Sequence, residues 1–208
     1  MELQKWINTA YQEIVKVRPD ANAAAVTVTL AVGVRQKLTD AGSINLPNAT
    51  RLIDVVRNMA DSSNKLPIIL VDKEMMDQIF PAWINTTGSV NIAYWMYDLR
   101  LPKEFLVYPP ATASAQIELL YSSVPTAHTL SDSDLNPAGI NTEVIRLDDI
   151  YANAILDYVL YRSYLKDAES GSADRAAHHL QAFNASLSEK TSVDLAITEL
   201  PPGKKGGA

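Results

Sequence analysis

The residues best equipped for chemistry are few and fall in three places. Asp132, Asp134, Asn136 and Glu143 put oxygen donors at positions 1, 3, 5 and 12 of a calcium-loop pattern. Position 6, where the sharp turn wants glycine, is Pro137, and no amphipathic helix precedes the segment. The chain has three histidines, His128, His178 and His179. His178 and His179 are adjacent on a predicted helix and point about 100° apart, which disfavours chelation of one ion by both. Asp148 and Asp149 form an acidic pair whose position suits a helix start. A cluster of Trp83, Tyr94, Trp95, Tyr97, Phe105 and Tyr108 offers stacking surface for a sugar or base, or equally cross-strand packing in a sheet core. A calcium-dependent or carbohydrate-binding module, using loop 132–143 and these aromatic strands, is therefore one reading of the chain.

Other chemistries lack their residues. With no cysteine among 208 residues, thiolate nucleophiles, disulfides and zinc knuckles are excluded. No HExxH, GxSxG, GxxxxGK[ST] or GxGxxG pattern occurs, which argues against a standard enzyme. Three glycosylation sequons, at Asn48, Asn85 and Asn184, are near chance expectation. A net charge of −6 is the wrong sign for gripping phosphates, although it leaves DNA able to slide past. No apolar run approaches the roughly 20 residues that span a bilayer, so neither a membrane partner nor a signal peptide is expected.

The elements that would position these residues follow from periodicity. Leu3, Trp6, Ile7, Ala10, Tyr11, Ile14 and Val15 form the stripe of an amphipathic helix ending before Arg18-Pro19. Residues 23–38 read as strand with a bend or bulge at Gly33. Asn48 to Met59 satisfies helix and strand templates alike, with strand weakly favoured. Lys73 to Ile79 reads as one or two helical turns. Ile92 to Tyr97, Phe105 to Tyr108 and Ile117 to Ser122 read as three strands of one small antiparallel sheet, the first two joined by a turn at Leu101-Pro102-Lys103. Pro125 to Thr142 reads as a long surface loop. A helix carrying Ile150, Ala154, Ile155, Tyr158, Val159 and Leu165 follows, and then a second over Ala173 to Leu187.

The expected fold is α+β: a helical bundle from the N-terminal helix and a C-terminal helical hairpin (residues 1–22 and 145–191), with an inserted β-rich lobe (23–144) and an extended C-terminal arm (192–208). The arm, SVDLAITELPPGKKGGA, has no core pattern, so it is inert or orders on a partner.

The order of several motifs resembles the head-to-tail adaptor, or connector, proteins of short-tailed bacteriophages. These are Trp6-Ile7-Asn8 through Ile14 into Arg18-Pro19-Asp20-Ala21, then Gly33 to Leu38, Val55-Val56-Arg57-Asn58, and Pro81-Ala82-Trp83. Tyr97-Asp98, Pro102 and Phe105 to Pro110 come next, before Ala154 to Tyr164, Lys166-Asp167, Arg175-Ala176-Ala177 and Phe183. The resemblance implies a non-enzymatic virion protein without cofactors. It implies a homo-oligomeric, dodecameric ring at the head-tail interface, assembled in the host cytoplasm, with portal and tail tube or nozzle proteins as partners. Double-stranded DNA would pass non-specifically through its lumen. A first helix starting at Glu2 departs from relatives that carry additional residues before it. By the same resemblance the arm embraces the portal or a neighbouring subunit, through Leu195, Ile197, Leu200, Pro201, Pro202, Lys204 and Lys205.

Overall fold

The computed structural model describes residues 2–40, 44–61, 65–129, 144–166 and 172–198, with side chains described to Ser188 in the last stretch. The fold is α+β, with four α-helices and two small sheets among the described residues. The chain divides into two compact units, one of residues 1–18 with 127–208 and the other of residues Pro19–Thr126.

In the first unit, helix α1 (Glu2–Val17) buries Ala10, Tyr11, Ile14 and Val15, the C-terminal half of its predicted stripe. Asp148 accepts a hydrogen bond from Ile150 N–H at 3.0 Å, but what it caps is a 3-10 turn over Asp149–Tyr151. That turn shifts the helical phase. Tyr151 is buried and Ile150 is 62% exposed, contrary to the stripe expected from the sequence. Helix α3 (Ala152–Lys166) buries Ala154, Ile155 and Tyr158, and leaves Leu165 in its last turn exposed. Helix α4 (Ser172–Thr198) packs along α3 through Ala176, Phe183 and Leu187. The Tyr158 and Phe183 rings lie 5.3 Å apart, and burial pushes the Tyr158 phenol above its ordinary pKa.

Helix α4 corrects the sequence reading at its C-terminus. It continues through residues 192–198, where an extended arm was expected. No glycine or proline interrupts the sequence between Ser172 and Thr198, and Pro201-Pro202 supply the first breaker. The calcium-like loop, within residues 130–143, and residues 199–208 lie outside the described residues.

The second unit is a two-sheet sandwich. One sheet has the order β1-β7-β3, and the other β2-β6-β5-β4. The strands are β1 (Ala23–Thr29), β2 (Gly33–Lys37), β3 (Ala49–Asn58), β4 (Ile69–Leu70), β5 (Tyr94–Tyr97), β6 (Glu104–Ala111) and β7 (Gln116–Ser123). All pairings are antiparallel except β4 with β5. The expected single sheet of three strands is therefore incorrect: β7 leaves β6 and sits between β1 and β3. The chain makes that crossing at a turn, where Ala115 N–H donates to Thr112 O at 3.0 Å. The run 23–38 is likewise two strands in different sheets. Gly33 marks the second, at φ 111°, where a residue with a Cβ would be strained, and a register shift follows before Arg35.

Two further features explain misleading local signals. In β3, Ala49, Leu52, Val55 and Asn58 are buried at every third residue, because the ladder to β7 shifts register three times. Each bulge inserts a residue, so a strand acquires near-helical spacing. In β6 the strand continues through Pro109-Pro110, which the sequence reading places beyond its end. The β2 ladder passes from Gly33–Ala111 to Arg35–Leu106, so these prolines face no β2 partner that needs their N–H.

The sandwich core runs across both sheets, from Val28, Leu52, Val55, Ile117 and Leu119 to Trp95, Phe105 and Val107. Two buried amides close it. Gln36 donates to Ala31 O and Gly33 O, and accepts from Ala31 N–H at 2.8 Å. Asn58 donates to Ile92 O at 2.8 Å and accepts from Ile92 N–H at 2.7 Å, fastening the end of β3 to the approach of β5. Helix α2 (Lys73–Ile79), capped by Asp72, covers the outer face of the second sheet through Met76, with Trp83 and Met96.

Replacing Asn58 with alanine leaves the Ile92 amide and carbonyl buried without partners, and an equilibrium urea titration should show a loss of about 1–3 kcal/mol. In the helical unit, Phe183→Ala should cost about 3–5 kcal/mol. Unchanged stability in either variant would contradict the packing described.

Candidate functional site

The side chains singled out in the sequence are structural where they are described. Trp83, Trp95 and Phe105 are buried, and Trp83 Nε1 donates to Asp77 Oδ1 at 2.7 Å. They cannot form a sugar- or base-stacking platform. Tyr94, Tyr97 and Tyr108 are half-buried, and Tyr94 and Tyr108 stack at 6.2 Å as cross-strand partners. His178 and His179 do not converge on an ion, and no group of three metal-ligating residues exists among the described residues. His179 belongs instead to the α3–α4 seam. Its Nδ1 lies 2.9 Å from Asp157 Oδ1, and its ring stacks on Tyr164 at 5.6 Å.

His128 has a role that sequence reasoning missed. It is buried, and α1 grips it from three sides. Its N–H donates to Asn8 Oδ1 at 2.9 Å, its carbonyl accepts from Gln4 and Asn8, and its Nε2 lies 2.8 Å from the Tyr11 hydroxyl. Arg146 adds a backbone bond to Tyr11 Oη, and its guanidinium donates to Ala127 O at 3.0 Å. Every α1 group involved is spaced by three or four residues, so one helix face presents them together. The signal available in the sequence was Gln4, Asn8 and Tyr11 beside an apolar stripe, without any hint of the partner 120 residues away.

Among the described residues, three surfaces stand out as candidates for function. The first, in the helical unit, is a groove of about 340 Å³ between α1 and α3. It is lined chiefly by Leu3, Ile7, Ile145, Ile155, Leu156 and Val159, with Tyr11 and His128 at its floor. Its rim stays open to water, Leu156 being 55% exposed. Most of these residues belong to the predicted stripes, which are wider than the helices cover. The second, in the sandwich unit, is the outer side of α2, where Met75, Ile79, Phe80 and Ile84 are exposed near edge strand β4. Exposed large apolar side chains this close in sequence are a candidate interaction surface.

The third is a charged groove of about 610 Å³ around the β5–β6 turn. Its cations are matched by carboxylates: Arg35 by Glu104 at 2.9 Å, which Lys37 also meets from outside the groove at 3.1 Å, Lys73 by Asp77 at 2.7 Å, and Arg100 by Asp98 at 2.9 Å. Hydrogen bonding from Lys37 lowers the Glu104 pKa, and from Arg100 that of Asp98. With its charges paired, this groove has little to attract a polyanion. The Leu195 and Ile197 positions fall on α4, and Leu200, Pro201, Pro202, Lys204 and Lys205 lie outside the described residues.

A family profile described as SU10 adaptor protein matches residues 1–200 of the chain. No curated protein matches the sequence.

Two measurements probe this description. Asn8→Ala removes a donor and an acceptor from His128 and should lower stability by about 1–3 kcal/mol, read by urea unfolding. Asp77 is held below its ordinary pKa of 3.8 by hydrogen bonds from Lys73 and then Trp83. The folded state therefore binds the Asp77 proton more weakly than the unfolded chain, and the stabilisation is complete above 3.8 and lost as pH falls through the lower folded value. Asp77→Asn keeps an acceptor for Trp83, so its melting temperature should trail the parent near neutral pH and converge with it in acid. A gap that stays constant across that range would contradict the assignment.

Proposed function

The chain belongs to the SU10 adaptor protein family, and from that membership we propose that it is a structural virion protein forming a ring between the portal and the tail. In this role it docks beneath the portal at the head-tail interface and extends the DNA channel. It also offers a platform to the tail tube or nozzle protein. The observation that carries the reading is the family match over residues 1–200, which takes in both units and the whole of α4.

Physical features support it. A closed ring is a heterologous assembly, so each subunit needs two different complementary faces and no reaction centre. The helical unit presents an aliphatic groove and the sandwich unit an apolar helix face with exposed aromatic Phe80. A net charge of −6 suits a channel through which DNA slides, because phosphates find few unpaired cations to hold them. Leu195, Ile197, Leu200, Pro201, Pro202, Lys204 and Lys205 engage the portal or a neighbouring subunit. Each engaged C-terminus holds the other copies near their own sites, which raises avidity steeply.

Deleting residues 192–208 leaves every buried residue of the described α3–α4 seam in place. The truncated chain should keep its helical circular dichroism and its melting transition, yet fail to co-sediment with portal protein. Co-sedimentation equal to that of the full chain would overturn the assignment of the C-terminus to assembly.

A further inference from the structure

Helices α3 and α4 run antiparallel, as their contacts show: Arg175 lies over Tyr164, His179 meets Asp157, and Phe183 packs on Tyr158. Continued along both helices, this register brings Leu187 level with Ala154, close to the start of α3 at Ala152. Beyond Leu187, α4 continues to Thr198, an overhang of about 16 Å at roughly 1.5 Å per residue. Val193, Ala196 and Ile197 occupy positions i, i+3 and i+4 of this overhang, and Leu200 follows in sequence at i+7. At about 100° per residue, that line of positions is rotated roughly 110° from the line of Ala176, Phe183 and Leu187. It is a separate apolar line on a part of the helix that has outrun α3.

We propose that this overhang lies in the α1–α3 groove of a second copy of the chain, which makes the contact between subunits head-to-tail. Both halves of the contact are then carried by one chain. The groove takes aliphatic groups, with Leu3, Ile7, Ile155, Leu156 and Val159 along its walls, and the overhang supplies an amphipathic helix of the kind that grooves accept. The chain cannot satisfy its own groove. Groove residues Ala152 to Val159 are level with the part of α4 before the overhang, and a helix continuing past them carries its apolar line away. A donor face distinct from its acceptor face is what a ring requires, since such a contact repeats until it closes. The inference rests on the adaptor reading and divides its C-terminus: positions 193–197 serve the neighbouring subunit, leaving residues 201–205 to the portal.

The full chain has no cysteine, so single-cysteine variants give a clean test. Leu156→Cys and Ile197→Cys are mixed with a short thiol cross-linker, both alone and in the presence of portal protein. Covalent dimers are expected from the mixture and from neither variant by itself. Leu156→Glu, at an exposed rim position, should leave circular dichroism unchanged and weaken self-association about tenfold. Absence of mixed dimers under both conditions, or equal dimerisation of one variant with itself, would overturn the proposal. Portal co-sedimentation is followed in the same samples. Portal binding without mixed dimers removes this contact and leaves the adaptor reading standing. Mixed dimers without portal binding do the opposite.

Discussion

A helical unit assembled from residues 1–18 and from residue 127 onward is held together across the gap by noncovalent contact alone, and the point where the returning chain meets α1 decides whether it closes. That point is His128. Its amide, carbonyl and ring all bond to α1, through Asn8, Gln4 and Tyr11. Burying a backbone amide and carbonyl is costly unless both are paired, so the returning chain has one favourable seat on that helix face. The buried apolar residues of the same unit, Ile14 and Val15 on α1 with Ala154 and Ile155 on α3, supply bulk burial without specifying position.

The sandwich unit solves a related problem at its corners. Its chain changes sheets four times, after β1, β2, β3 and β6, and a change of sheet leaves backbone groups without a ladder partner. Gln36 and Asn58 answer this with side-chain amides that both donate and accept, imitating a backbone where no strand pairs. The three register shifts between β3 and β7 let the sheet coil over the core while Leu52 and Val55 stay inside it.

For such a protein the informative chemistry is at its surface. Paired charges around the β5–β6 turn leave that groove nearly self-contained. The α1–α3 groove and the outer side of α2 expose aliphatic and aromatic groups that monomeric proteins usually cover. Membership of the adaptor family gives these faces a context, and the length of α4 relative to α3 gives one of them an occupant.

The sequence by itself determined the helices, because their 3.6-residue stripes and the Arg18-Pro19 stop are local, and it shows no cysteine and none of the four familiar catalytic or nucleotide-binding motifs. It also carried enough ordered motifs to reveal a likeness to phage adaptors. Only the tertiary structure decided which sheet each strand joined, since Ala23 to Leu38 and Phe105 to Ser122 look continuous until corner turns and buried amides split them. It alone turned the every-third-residue burial of β3 into bulged strand, and gave His128 its seat on a helix 120 residues away. The limit of α4 was written in the sequence as the first proline pair. Its consequence, an apolar line extending past the end of α3, depends on the antiparallel register of two helices, which no local pattern encodes.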